Sequence, residues 1–155
     1  MKLKLKEGTT SKLARIFVQD SSSTTGAGLT GLAFNSASLT AYWIAEGDAT
    51  ATAITLATMT AGTWVSGGFD EVDATNLPGV YEIGLPNISI DATSEGSVVV
   101  MLKGATNMTP VLLEIELDGI DYTTAIDSQV MSATMSSYTT AGSLGLFLND
   151  QYDLA

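Results

Sequence analysis

The feature that most constrains the fold is a strand-like alternation that directly follows a turn, within residues 63–86 (TWVSGGFDEVDATNLPGVYEIGLP). From residue 79 onward, the side chains alternate with the period of two that is typical of a half-buried strand. The two faces are Tyr81, Ile83 and Leu85 on one side and Val80, Glu82 and Gly84 on the other. The residues before this strand predict a turn that ends at Pro78 and Gly79. Proline fixes the backbone angle φ, and glycine tolerates values of φ that other residues avoid, so both are common in turns. This stretch predicts a β-protein and carries no chemical signature.

Two further features of the same stretch predict a structural corner. The pair Gly67 and Gly68 indicates a bulge or tight bend before a strand at 69–73. The Gly-x-Tyr that ends at Tyr81 resembles the tyrosine corner of immunoglobulin-like sandwiches, in which a tyrosine hydroxyl ties a turn back to its strand. We therefore expect Tyr81 to anchor the turn. If this stretch meets a partner, we expect the contact through Trp64 and Phe69.

Similar alternation recurs along the chain, with turn signals between the segments. We predict six to eight short strands in an immunoglobulin-like antiparallel β-sandwich over residues 1–119. The strand patterns cover residues 2–6, 12–19, 38–45, 53–59, 69–73, 79–85, 97–103 and 111–117. The side chains expected to interdigitate between the two sheets are Phe17, Trp43, Ile54, Leu56, Tyr81, Ile83, Val98, Val100, Leu113 and Ile115.

The character of the chain changes after residue 119, where apolar residues recur at helical spacing. We predict a short helical tail over residues 120–155. A helix this short is marginal alone in water, so its apolar side chains must pack on something. Packing on the sandwich is one alternative, and docking on a partner or oligomerisation is the other. The candidate docking residues are Val130, Met131, Met135, Tyr138, Leu144 and Phe147.

The absence of two residue types limits the catalytic and metal-binding sites that the chain could form. The chain contains no histidine and no cysteine, which excludes a Ser-His-Asp or Cys-His device and leaves a zinc or non-haem iron site without its usual ligands. Acidic residues cluster at 70–73 and 118–121, but neither cluster has the spacing of a calcium loop. We therefore predict no catalytic residues, no cofactor and no metal, and a protein that is not an enzyme.

Charge is distributed unevenly along the sequence. The net charge of −11 argues against a nucleic-acid partner, yet five of the six basic residues lie in the first fifteen positions. In one interpretation Lys2, Lys4 and Lys6 guard a solvated edge strand against aggregation. In the other, this basic arm docks on an acidic neighbour such as a second copy. No signal peptide and no membrane-spanning run is visible, so we expect synthesis in the cytoplasm and no membrane partner.

Three segments together resemble a β-sandwich module of tailed-bacteriophage virion proteins: GLTGLAFNSASLTAYW, ITLATMTAGTWVSGGFDEVDATNLPGVYEIGLP and VVVMLKGATNMTPVLLEIEL. MSSYTTAGSLGLFLN resembles a helical segment that follows such modules, and the similarity extends over residues 11–149. The resemblance implies a virion structural role among other capsid or tail proteins and carries over no catalytic residues. The short chain favours a capsid-decoration, adaptor or fibre-base protein, and we expect a homo-oligomer, most simply a trimer.

The alternative from another functional class is a carbohydrate-binding module for host surface glycans. Such a module needs exposed aromatic side chains on one sheet face or loop rim. The set that the sequence offers is Tyr42, Trp64 and Phe69.

Overall fold

The computed structural model describes residues 1–91 and 96–118, which form eight strands and a single turn of 3-10 helix. The strands are β1 (Lys2–Lys6), β2 (Leu13–Phe17), β3 (Thr40–Ala45), β4 (Thr52–Ile54), β5 (Phe69–Asp73), β6 (Leu77–Gly84), β7 (Ser97–Lys103) and β8 (Val111–Asp118), and the 3-10 helix is Asn87–Ser89. The predictions for residues 120–155, including the six candidate docking residues of the tail, lie outside the described part of the chain.

The strands form two sheets that pack as a sandwich, and the prediction of a mainly β two-sheet fold is confirmed. One sheet has the order β1-β8-β7-β3-β4 and the other β2-β6-β5. If β2 to β8 are labelled B, C, C′, D, E, F and G, these orders are those of an immunoglobulin-like sandwich, with B-E-D facing G-F-C-C′.

One pairing within the predicted antiparallel sandwich departs from the antiparallel pattern, that of β1. This strand runs parallel to β8, with Leu3 beside Ile115 and Leu5 beside Leu117. The chain passes from β1 in one sheet to β2 in the other, so no hairpin fixes the direction of β1. In its sheet, β1 therefore lies beside β8, whereas β2, which follows it in the sequence, belongs to the other sheet.

The core is built from the inward-facing residues of both sheets. Of the predicted core residues, Ile54, Tyr81, Ile83, Val98, Val100, Leu113 and Ile115 are buried, and Trp43 and Leu56 are partly buried against them. The prediction for Phe17 is wrong, because this side chain is 47% exposed. In β2 the inward positions belong to Ala14 and Ile16, and the alternation of the strand turns Phe17 outward.

A hairpin joins β3 to β4, and β4 is shorter than the strand predicted at 53–59. Only Thr52–Ile54 pairs with β3, whereas the sequence pattern extends to residue 59. Beyond β4 the chain crosses to the other sheet, where Ala57 forms a parallel bridge with Gly68. The apolar residues of this crossing segment continue the alternating pattern of a strand, but their backbone does not pair with β3. This is why the predicted strand was too long.

Candidate functional site

The predicted corner residues lie where backbones approach closely. Gly67 has a φ of +70°, and a Cβ there would lie 2.1 Å from the carbonyl oxygen of Thr55. Gly79 has a φ of +82°, and a Cβ there would lie 2.5 Å from the Cα of Gly28. A side chain at either position would be strained and would collide with backbone. The two neighbouring corner residues lie close to the same two parts of the chain. Gly68 lies beside the side chain of Met59, and the backbone of Pro78 lies beside Gly28.

Tyr81 is an anchor, although its partner differs from the one predicted. Its hydroxyl donates a hydrogen bond to the carbonyl oxygen of Leu29 at 2.8 Å and accepts one from the backbone N–H of Leu32 at 3.1 Å. These residues belong to the loop between β2 and β3, not to the turn before β6. Burial of the phenol, together with the charge of the nearby Glu71 carboxylate, raises the pKa of Tyr81 to about 12.

The carboxylates of the 70–73 cluster hold loops in place. Glu71 Oε2 accepts a hydrogen bond from the N–H of Gly31 at 2.8 Å, and Asp70 Oδ2 accepts one from the N–H of Ala61 at 3.1 Å. Asp73 accepts three hydrogen bonds from the turn that follows it, two of them from Asn76. The side-chain amide of Asn76 and the backbone N–H groups lower the pKa of Asp73. Within residues 1–91 and 96–118, no group of three or more potential ligands is arranged to hold a metal ion.

An ion pair between the exposed Arg15 of β2 and the buried Glu82 of β6 was not predicted. Glu82 is 2% exposed, although the alternation of β6 places it on the outer side of the sheet. Arg15 Nε lies 2.9 Å from its Oε1, and the N–H of Gly62 donates to its Oε2 at 2.6 Å. The sequence alone gives little indication of this ion pair, because Arg15 and Glu82 are far apart in the chain and come together only through the register of β2 with β6.

The two aromatic residues expected at an interface have different environments. Trp64 is partly exposed, and its Nε1 donates a hydrogen bond to the carbonyl oxygen of Leu85 at 3.1 Å. Phe69 is 2% exposed and stacks on Tyr81 with ring centroids 4.9 Å apart. The prediction that Phe69 meets a partner is therefore wrong. The proposed glycan-binding set also fails to assemble, because Phe69 is in the core and Tyr42 lies on the outer face of the larger sheet.

The basic arm pairs with its own β8. Lys2 Nζ lies 3.5 Å from Glu114 Oε1 and 3.1 Å from Glu116 Oε2, while Lys4 Nζ lies 3.7 Å from Glu116 Oε1 and 3.0 Å from Asp118 Oδ2. The hydrogen bond with Glu116 raises the pKa of Lys2, and the same contact lowers the pKa of Glu116. Lys6 lies on the same side of β1. This placement agrees with the edge-strand interpretation of the arm.

An apolar surface, which the sequence did not predict, covers the outer face of the five-stranded sheet. Tyr42, Met101 and Leu112 lie side by side on three neighbouring strands, and Ile44 and Val99 form the next row. Leu112 is 46% exposed and the other four are partly exposed. A groove of about 440 Å³ follows this surface, lined by Tyr42, Trp43, Ile44, Ala51, Val99, Met101 and Lys103. We refer to Tyr42, Ile44, Val99, Met101 and Leu112 as the apolar face.

The apolar face is bordered by charges of both signs. Lys103 Nζ lies 5.7 Å from the ring centroid of Tyr42. The outward side of this sheet carries four lysines (Lys2, Lys4, Lys6, Lys103) and three acids (Glu114, Glu116, Asp118). Among the other described residues, two are basic and nine are acidic. In the part of the chain that the structure describes, the outward side of this sheet is thus nearly neutral, and the remainder is acidic.

Comparison of the chain with models of known protein families and with curated proteins gives no match. In the part of the chain that the structure describes, no helix is long and apolar enough to cross a membrane. Among the described residues, the arrangement that stands out is a surface: an apolar, nearly neutral sheet face on an acidic β-sandwich.

Proposed function

We propose that the protein is a non-enzymatic structural component of a bacteriophage virion, made in the host cytoplasm and then docked on the particle. In this role it is a capsid-decoration or cement protein, or an adaptor at the base of a head or tail fibre. The proposal rests on the resemblance of three long segments to virion β-sandwich modules and on the presence of a surface suited to protein–protein contact.

The apolar face is the observation that carries the proposal. Burying a large apolar side chain contributes roughly 1.5–3 kcal/mol, so five neighbouring ones offer a substantial gain when a partner covers them. Exposed apolar patches on soluble proteins commonly mark interaction sites. In a symmetric particle, such contacts are repeated many times, and individually weak contacts give stable attachment together.

The distribution of charge favours a second copy of the chain as the occupant of the apolar face. Two bodies that each carry a net charge of −11 repel one another when their acidic sides meet. At the apolar face, four lysines and three acids nearly cancel, so copies can approach there without this cost. We propose a symmetric homo-oligomer, a trimer, that exposes its acidic sides outward and its remaining surfaces to other virion proteins.

Purified virions test the attachment. An antibody raised against the recombinant protein is applied to phage particles from a lysate of the host that carries the gene, followed by gold labelling and electron microscopy. We expect gold at regular positions on the particles. The absence of label, together with the absence of the protein from the mass spectrum of the purified virions, would contradict a virion role.

A further inference from the structure

Sheet edges can pair with other chains, and proteins usually protect them. Among the described strands, three of the four edges carry such protection. On β1 every second residue is a lysine, and β4 is only three residues long. The beginning of β5 is covered by the crossing segment, since the N–H of Phe69 donates to the carbonyl oxygen of Ala57 at 3.0 Å. The fourth edge, on β2, differs from these.

The outer edge of β2 presents open backbone groups. At one end of the β2–β6 pairing, the carbonyl oxygen of Lys12 accepts a hydrogen bond from the N–H of Leu85 at 2.9 Å. At the other end, the N–H of Val18 donates a hydrogen bond to the carbonyl oxygen of Gly79 at 2.8 Å. Successive residues of a strand alternate toward and away from their partner. The N–H and C=O groups that point away from β6 are therefore those of Leu13, Arg15 and Phe17.

No strand within residues 1–91 and 96–118 pairs with this side of β2. The open stretch ends at Gln19, whose carbonyl oxygen accepts a hydrogen bond from the N–H of Thr109 at 3.0 Å. In an immunoglobulin-like sandwich, an additional strand A commonly occupies this position beside strand B. The open stretch spans five residues, the length of a typical strand.

A groove of about 500 Å³ runs beside this edge, between the start of β1 and β2. Its charged side chains are Lys2, Lys12, Arg15 and Glu82, so positive charge dominates in a chain of net charge −11. The Arg15 side chain is 71% exposed although it contacts Glu82, and a guanidinium has several further donors. The groove is otherwise lined by Met1, Leu3, Leu13, Ala14 and Gly62.

We propose that the open edge of β2 binds an extended segment of another polypeptide, in which acidic and apolar side chains alternate. The segment adds a fourth strand to the three-stranded sheet, and its backbone bonds with Leu13, Arg15 and Phe17. This is the β-augmentation mode of peptide recognition. Side chains of an added strand point alternately to the two faces of the sheet. The acidic side chains of the added strand pair with Arg15 on the outer face. Its apolar side chains pack on Leu3 and Ala14 on the inner side.

The charges argue against a second copy at this edge. Antiparallel pairing of two β2 strands centred on Arg15 would place the two Arg15 side chains opposite one another, and like charges directly opposite across a strand pair are destabilising. The site is also separate from the apolar face. Its test gives a result whether or not the protein belongs to a virion.

The experiment selects binders from a library of short randomised peptides on the immobilised full-length protein. We expect the retained peptides to alternate acidic and apolar residues. Leu13→Pro removes an N–H that faces the open edge, and proline is tolerated in edge strands. This variant should bind the selected peptides about tenfold more weakly, the effect of one lost hydrogen bond. Arg15→Gln should weaken binding too, because it removes the positive charge that faces the acidic side chains of the peptide. Leu77→Gln, at an exposed position outside the open edge, should leave binding unchanged.

Amide hydrogen exchange supplies a second readout. In the presence of a selected peptide, the amides of Leu13, Arg15 and Phe17 should become protected. The proposal is overturned if no peptide is retained, if basic peptides are selected, or if Leu13→Pro binds as tightly as the unchanged protein. Concentration-dependent dimers that Phe17→Lys dissolves would overturn it as well, because the occupant would then be a second copy.

Discussion

At the scale of single residues, Tyr81 links two parts of the chain that lie far apart in the sequence. Its ring packs in the core against Phe69, while its hydroxyl holds the loop at Leu29 and Leu32. The sequence predicted that Tyr81 is an anchor, because Gly-x-Tyr after a turn is a local signal. It could not predict the anchored loop, since that contact depends on how the two sheets are stacked. For the same reason Phe69 was expected on the surface, although it lies in the core.

We expect Tyr81→Phe to lower the free energy of unfolding by about 1–3 kcal/mol. The change leaves a partly buried carbonyl oxygen and a partly buried N–H without their partner, and each unsatisfied group carries a desolvation cost. Chemical denaturation measures the difference. Tyr42→Phe, on the exposed apolar face, is the matched control and should remain within about 0.5 kcal/mol of the unchanged protein. Equal losses for the two variants would refute the anchoring role of the Tyr81 hydroxyl.

The raised pKa of Tyr81 predicts a pH dependence of stability. The folded protein keeps the phenol protonated up to about pH 12, whereas an ordinary tyrosine loses its proton near 10.0. The contribution of this group is therefore fully present below pH 10 and is lost as the pH rises through the folded value. Denaturation midpoints measured from pH 9 upward should fall more steeply for the unchanged protein than for Tyr81→Phe. Parallel curves would show that Tyr81 titrates normally.

At the scale of secondary-structure elements, local patterns predicted the strands better than their partners. The alternation in β6 and β8 is visible in the sequence, and the buried positions Tyr81, Ile83, Leu113 and Ile115 follow from it. The parallel pairing of β1 with β8 joins the two ends of the described chain and leaves no local signal. Strand β4 was predicted too long, because apolar residues of the crossing segment continue its pattern. Pairing partners are thus set by long-range packing.

The ion pairs that join β1 to β8 predict a measurable change in Glu116. Lys2→Gln removes the main hydrogen-bond partner of this carboxylate, so its pKa should rise toward the ordinary value of 4.5. Because the pKa in the folded protein is lowered, the pair stabilises the fold at neutral pH and loses its effect as the pH falls through that value. An NMR titration of the glutamate side chains reports the shift. Lys12→Gln changes a lysine that directly precedes β2 and should leave the pKa of Glu116 unchanged. A shift of equal size in this variant would contradict the assignment.

At the scale of the whole molecule, the candidate surface arises from strands that are distant in the sequence. Tyr42, Met101 and Leu112 come from β3, β7 and β8, and only the register of three strands brings them into one row. The sequence shows an apolar run, VVVML, within β7, which suits a central strand with both faces covered. It gave no reason to expect that the neighbouring strands continue this apolar surface. The near-neutral charge of the face likewise appears only when β1 is placed beside β8.

The oligomeric state in solution tests the central claim, that the apolar face binds a second copy. We measure the mass of the full chain by size-exclusion chromatography with light scattering, together with Met101→Glu and Leu112→Lys. Each substitution places a charge on the apolar face at an outward position. Leu77→Glu, which changes a 48% exposed leucine elsewhere on the surface, is the control.

The unchanged protein and Leu77→Glu are expected to form an oligomer of defined size, most simply a trimer. Met101→Glu and Leu112→Lys are expected to be monomers that keep the far-UV circular dichroism spectrum of the unchanged protein. A protein that is monomeric at every concentration tested, or face variants that keep the mass of the unchanged oligomer, would contradict the claim.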